Sequence, residues 1–348
     1  MKVLYEQEDF PVLQNRVYET AQDAINCLKG DIKIIEDSRT GLIYNAAFNS
    51  DLMIYDQNYN NEQSLSPSFK EHLQQAAELI ELTIGKEALV EVGCGKAFFL
   101  EMLLGRGVDV RGFDSTYDGQ NPRVIKKYFE PGIIATPAKG LILRHVLEHI
   151  PNPYDFLCQL RDANCGGGLI FIEVPCFDWI LSKRAWFDIF YEHANYFRLR
   201  DFDRMFSRII TKGRFFGNQY LYVVADLASL REPVFEQSSA INFPSDFLKG
   251  LSLKKKNRKP VVVWGGASKG VIFSLLRRRV GLHVDAVIDV NPAKHGRFLP
   301  STGLEVKSPQ RALADLPIDA AIYVMNSNYL VEIKEMSQNK FHYIGIDQ

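Results

Sequence analysis

The chain has 348 residues, 24% of them charged and 46% hydrophobic, with a formal net charge of −1. This is the composition of a globular protein of two or three domains, and it excludes a largely disordered chain. Near-neutrality gives no overall attraction to nucleic acid or anionic lipid, so neither is expected as a partner.

At the N-terminus, MKVLYEQEDF lacks the basic start and apolar core of a signal peptide. No apolar run approaches the ~20 residues that span a bilayer. The five cysteines are odd in number and form no C-x-x-C pair. A disulfide framework or structural zinc is therefore not expected, and reduced thiols in a cytoplasmic protein are. Residues 1–67 are rich in Asn, Asp, Gln and Tyr and show no long periodic segment, which predicts a loop-rich cap. Residues 68–235 alternate strand-like and helical runs. Leu89–Val92, Val110–Phe113, Gly140–Leu143 and Leu169–Val174 read as strands, and Phe98–Leu104 as a helix. That alternation predicts a parallel sheet covered by helices on both faces. Residues 236–259, ending in the basic run Lys254–Lys259, read as a solvated linker. From 260 to 348 the strands Val261–Trp264, Ala286–Val290 and Ala320–Met325, with a helix through about Arg278, predict a second, smaller α/β unit.

Two glycines, Gly93 and Gly95, follow the first buried strand and precede a helix. They permit positive φ and close approach of a ligand to the backbone, and the helix offers free N–H groups. A dinucleotide turn requires a third glycine for tight helix packing, but Phe98 stands there, which disfavours NAD. Glu91 lies two residues before Gly93, and Asp114 closes the next strand. A carboxylate at Asp114 has oxygens to accept from both hydroxyls of a ribose. Acid-x-Gly-x-Gly after a strand resembles motif I of class I methyltransferases. The resemblance implies S-adenosylmethionine as cofactor, S-adenosylhomocysteine as product, and a Rossmann-like fold. Glu91, Gly93, Gly95 and Asp114 would then hold the cofactor. The family often has a glycine where Ala97 stands.

His145-Val146-Leu147-Glu148-His149 matches the H-x-x-E-H metalloprotease pattern. On a helix the two histidines would share a face. The segment follows a strand directly, however, and RHVLEHIPNP is similar to what methyltransferases of this class carry after their fourth strand. The resemblance places His145 near the cofactor, with Glu148 and His149 packing and capping the next turn. No metal is expected.

Aromatic residues interleave with a Glu-His pair in Phe187-Asp188-Ile189-Phe190-Tyr191-Glu192-His193-Ala194-Asn195-Tyr196-Phe197. Taken alone, this describes a core histidine as well as a catalytic one. EHANYF after GLIFIEVP resembles the E-H-x-x-Y-F signature of sugar C-methyltransferases. Gly265–Gly270 and the run Asp289–Pro300 resemble that family's C-terminal domain. The resemblance implies a small-molecule acceptor, a ketone on a nucleotide-linked sugar, methylated at the adjacent carbon. His193 matches the general base and Glu192 its acidic neighbour, with Tyr191 beside them. Imidazole titrates near neutrality, which suits the task. Phe190 stands where the family often has tyrosine, which keeps O- or N-methylation open, as well as an inactive cofactor-binding partner subunit. Tyr55, Tyr59 and Ser64 lie where the family's N-terminal arm covers the cofactor, and the region matching the family's cysteine-rich zinc module, Glu36–Asn45, has no cysteine. The C-terminal turn is read as helping to hold a nucleotide-bearing substrate, with a structural role or NAD as alternatives. A monomer or homodimer is expected.

Overall fold

All four side chains of Leu89–Val92 are buried, as in a parallel strand covered on both faces. The structure, a computed structural model, describes residues 2–54, 66–251, 260–318 and 320–348. Its strands in chain order are β1 (Lys2–Pro11), β2 (Lys29–Glu36), β3 (Ile43–Asn45), β4 (Leu89–Val92), β5 (Val110–Phe113), β6 (Val124–Ile125), β7 (Gly140–Arg144) and β8 (Leu169–Pro175). They continue with β9 (Asn195–Tyr196), β10 (Ile209–Phe215), β11 (Tyr220–Asp226), β12 (Val261–Trp264), β13 (Ala286–Ile288), β14 (Val306–Lys307), β15 (Ala321–Val324) and β16 (His342–Gly345).

The central sheet has the order β10-β11-β8-β7-β4-β5-β6. Its five strands from β8 to β6 are parallel, and β11 and β10 extend it antiparallel. The chain moves outward from β4 through β5 to β6, then restarts on the other side of β4 with β7 and β8. That reversal makes a switch point, and in open α/β sheets a ligand crevice opens at the carboxyl ends of the two strands there. The helix Pro67–Thr83 packs on this sheet. Ser66 caps it by accepting the Phe69 N–H at 3.2 Å, and Pro67 occupies the first turn. Its buried face, Phe69, His72, Leu73, Ala76, Ala77 and Ile80, follows helical spacing. A third sheet, β14-β13-β12-β15-β16, is wholly parallel. The protein is thus α/β, with a Rossmann-like methyltransferase-type sheet and a second, smaller one. No helix among the described residues is long and apolar enough to cross a membrane.

The N-terminal cap differs from expectation. It is organised by an antiparallel sheet, β1-β2-β3-β9, whose last strand comes from 150 residues downstream. Register shifts in β1, between Val3 and Tyr5 and between Gln7 and Phe10, break the alternation that would have marked the strand. Residues 236–251, expected as the start of a linker, are also packed. Ile241, Phe247 and Leu251 are buried, and the Ile241 N–H donates to the Glu36 carboxylate. The basic run 254–259 lies outside the described residues.

Candidate active site

The carboxyl ends of β4 and β5 form the first half of the crevice. Gly93 and Gly95 have φ of +73° and +53°, a region where side chains are strained. A Cβ on Gly93 would sit 2.5 Å from Val146 Cγ2. Ala97, where glycine is usual in the resembling family, holds φ +64°, so this chain accepts strain at the helix entrance. Asp114 is fixed by the turn: Oδ2 accepts the Gly95 N–H at 2.8 Å, and Oδ1 accepts from Thr116 N–H and Oγ1 at 2.8 and 2.7 Å. A carboxylate has about four acceptor positions, so one remains for a ligand donor. Glu91 is 3% exposed, and its Oε2 has no partner. Burial pushes its pKa to about 8, against the pull of Arg144. A buried acid without a donor beside a glycine turn suits a cationic ligand group, such as the amino end of a methionine moiety.

The second half follows β7. His145 has φ +51°, and the chain then makes a short 3-10 turn, Leu147–His149, rather than a helix. The helical His-Glu-His geometry therefore does not form. Both nitrogens of His145 face carboxylates: Nδ1 lies 3.2 Å from Glu148 Oε1, and Nε2 lies 3.0 Å from Glu173 Oε1. Burial disfavours its charge, but these two acids raise its pKa to about 9. Its ring is therefore held between Glu148 and Glu173 at the end of β7. Glu173 is fully buried and also meets Arg144 at 2.8 Å and His72 at 3.2 Å. Burial opposes its charge, yet Arg144 and His72 hold its pKa well below the usual range. Arg144 lies with its guanidinium 4.4 Å from the centroid of the Phe99 ring. This chain of charges runs from Glu91 toward His193.

His193 is buried, edge-on to Phe190 at 4.9 Å, His149 at 5.2 Å and Tyr196 at 6.1 Å. Its Nδ1 has no partner. Burial and the nearby His149 lower its pKa to about 3, against the opposite pull of Glu148. The ring is thus neutral. The acid whose charge acts on it is Glu148, from the turn after β7, a residue assigned only to packing in the sequence. Burial raises the Glu148 pKa, but the bond from His145 together with the charges of His149, His145 and His193 outweighs it and keeps the group low. Glu192, the expected neighbour, accepts the Gln14 N–H at 2.8 Å through Oε1. Its carbonyl accepts the His149 Nδ1–H, also at 2.8 Å.

Tyr191 requires a correction. Its hydroxyl accepts the Asn49 N–H at 2.9 Å, and its ring packs on Phe48 and against Gly30. Residues 191 and 192 form a turn, and these contacts direct Tyr191 toward the cap, while Phe190 lies against the His193 ring. The Tyr196 hydroxyl is likewise engaged with the Phe190 backbone, so neither phenol replaces the tyrosine absent at Phe190. Tyr59, with Tyr55 and Ser64, lies outside the described residues.

The C-terminal turn is filled by the protein itself. Asp289 accepts the Gly266 N–H at 2.9 Å and the Asn291 N–H at 2.8 Å, and buried Lys294 approaches at 3.7 Å. Asn15 accepts the Ser268 N–H at the helix entrance at 3.2 Å. A Cβ on Gly270 would collide with the Gly265 carbonyl oxygen, so this glycine serves helix packing. Lys269, from the same turn, meets Asp188 of the 3-10 turn Trp186–Asp188 at 3.1 Å and Gln219 Oε1 of the β10–β11 turn at 2.8 Å.

Residues 68–209 match the model of a methyltransferase domain, and residues 235–344 that of a C-methyltransferase C-terminal domain. The chain is a class I S-adenosylmethionine-dependent methyltransferase of the C-methyltransferase kind. No curated protein matches it. Among solved structures, the methyltransferase is similar to a protein from Pyrococcus horikoshii OT3, at 10% identity over 50% of this chain and 99% of that one, TM-score 0.38. It is also similar to the Burkholderia thailandensis 1,6-didemethyltoxoflavin-N1-methyltransferase, at 14% identity over 44% and 77%, TM-score 0.34. A SAM-dependent methyltransferase from Archaeoglobus fulgidus matches at 15% over 45% and 93%, TM-score 0.34.

Sequence reasoning missed Glu148 and His149 as members of the His193 cluster, and Arg144, Glu173 and His72 as its support. One signal was present: Glu173 is an acid in an otherwise apolar buried strand, which requires a paired cation.

Proposed function

We propose that the methyltransferase alkylates a carbon next to the ketone of a nucleotide-linked sugar or a related small metabolite, in the cytoplasm. The observation that carries this reading is the buried, neutral imidazole of His193 with an unpartnered nitrogen in the crevice. The match of residues 235–344 to a C-methyltransferase domain supports carbon as the acceptor atom.

When bound, S-adenosylmethionine supplies an electrophilic methyl group on a sulfonium. The turn at Gly93 and Gly95 would hold it, with Asp114 accepting from a ribose hydroxyl and Glu91 at the methionine end. His193 takes the proton from the carbon α to the ketone, and Glu148 steadies the imidazolium that results. The aromatic wall of Phe190 and Tyr196 keeps water from the carbanion. These residues would hold the acceptor carbon in line for the methyl group that the cofactor supplies.

The test is incubation with S-adenosylhomocysteine and a panel of nucleotide-linked keto-sugars in deuterium oxide. Wash-in of deuterium at the α-carbon, without methyl transfer, is the expected result. No exchange, with methylation once S-adenosylmethionine replaces the product, would favour an oxygen or nitrogen acceptor, the reading that Phe190 keeps open. Asp114→Ala is expected to weaken S-adenosylhomocysteine binding by ~1–3 kcal/mol, the loss of a charged acceptor. Calorimetric titration measures this, and unchanged affinity would remove Asp114 from the ribose.

A further inference from the structure

Glu148, His149 and His193 are the one group of metal-ligating side chains among the described residues whose donor atoms converge, all within 4.8 Å of one another. Three points so spaced share a centre no more than about 2.8 Å from each, and metal–ligand bonds of ~2.0–2.2 Å need inward movements of less than ~1 Å. Two donor positions are unsatisfied although nearly all of each residue is buried: Glu148 Oε2 and His193 Nδ1. The third is prepared. A carbonyl only accepts, so His149 must donate its Nδ1–H to Glu192 O, which leaves the Nε2 lone pair free. A metal-binding histidine is ordinarily fixed this way from its far side. Glu148 is held in the same manner by His145. The nearby cation Lys269 is neutralised by Asp188. His149 is only half-buried and gives the side of approach.

We propose that Glu148, His149 and His193 bind a divalent transition-metal ion of the zinc, cobalt or iron(II) type, and that the bound ion switches off methyl transfer. Two imidazoles and one carboxylate select these ions over magnesium or calcium, which take oxygen ligands. The switch rests on the reading of His193 as base, because the ion would take up an imidazole lone pair; the binding site does not rest on it. The methyltransferase fold itself needs no metal.

The test titrates the purified full chain with cobalt(II) chloride under chelator-free conditions and follows visible absorption. Wild type should give a saturable band at one equivalent, displaced by zinc sulfate. Glu148→Gln and His149→Ala should each weaken binding by at least ~10²-fold, the loss reached by removing outer partners alone. Their titration with S-adenosylhomocysteine, unchanged from wild type, shows that they are folded. No band, or a band that survives both substitutions, overturns the site. On an acceptor that turns over, zinc should inhibit and chelator should restore the rate. A cobalt band with turnover indifferent to zinc overturns the switch and, with it, His193 as base, while the site stands.

Discussion

His193→Ala is expected to lower methyl transfer by ~10²–10⁴-fold, the range for loss of a general base, with S-adenosylhomocysteine affinity nearly unchanged. The division follows from the layout. The groups read as cofactor contacts belong to the ends of β4 and β5, and none of them is bonded to His193. The ring instead touches Phe190, His149 and Tyr196, so its removal takes away the proton acceptor and leaves the glycine turn in place. Single-turnover rates with saturating cofactor measure the effect, and calorimetry on the same sample shows whether the fold survives. The α-deuterium wash-in should fall in step with turnover, because both require the same proton transfer. If wild-type turnover persists, or if exchange persists while transfer is lost, the base is another group.

Arg144→Leu is expected to destabilise the protein by ~3–5 kcal/mol, the usual cost of removing one partner from a buried charge pair. Glu173 has no water to turn to, and Arg144 at 2.8 Å is its strongest compensating charge. The substitution also removes the guanidinium from the Phe99 ring. Chemical denaturation gives the magnitude. The double variant Arg144→Leu, Glu173→Gln should recover much of the loss, since the orphaned charge is then gone. A single-variant loss under ~1 kcal/mol would mean that His72 and His145 alone satisfy Glu173.

The parallel core was legible because its strands are short, apolar and bounded by turns. Leu89–Val92, Val110–Phe113 and Val261–Trp264 fall where the apolar runs stand. Gly140–Arg144 and Leu169–Pro175 each run one residue further than read, and Ala286–Ile288 ends two residues earlier, because Asp289 turns back to accept the Gly266 N–H. The antiparallel elements were not legible. β10 alternates half-buried and exposed residues, IITKGRF, and offers few apolar side chains to read. At the site, the glycines and Asp114 carried a local pattern of turn and spacing. The partnership of Glu148 with His193 joins residues 45 apart, and no local rule reports such a meeting. The direction of Tyr191 toward Asn49 was not legible, because residues 191 and 192 form a turn, in which side chains follow no strand alternation.

The pairing of β3 with β9, two residues after His193, has a consequence for how the enzyme is made. Ile43 and Tyr44 pair with β2 on one side, and on the other they find partners at Tyr196 and Asn195. At ~5–20 residues per second, the ribosome needs roughly 8–30 s to supply that partner. Until then the N-terminal sheet waits with an open edge, and the loop bearing His193 does not yet exist. The closing of one short ladder therefore joins the earliest part of the chain to the loop that carries His193.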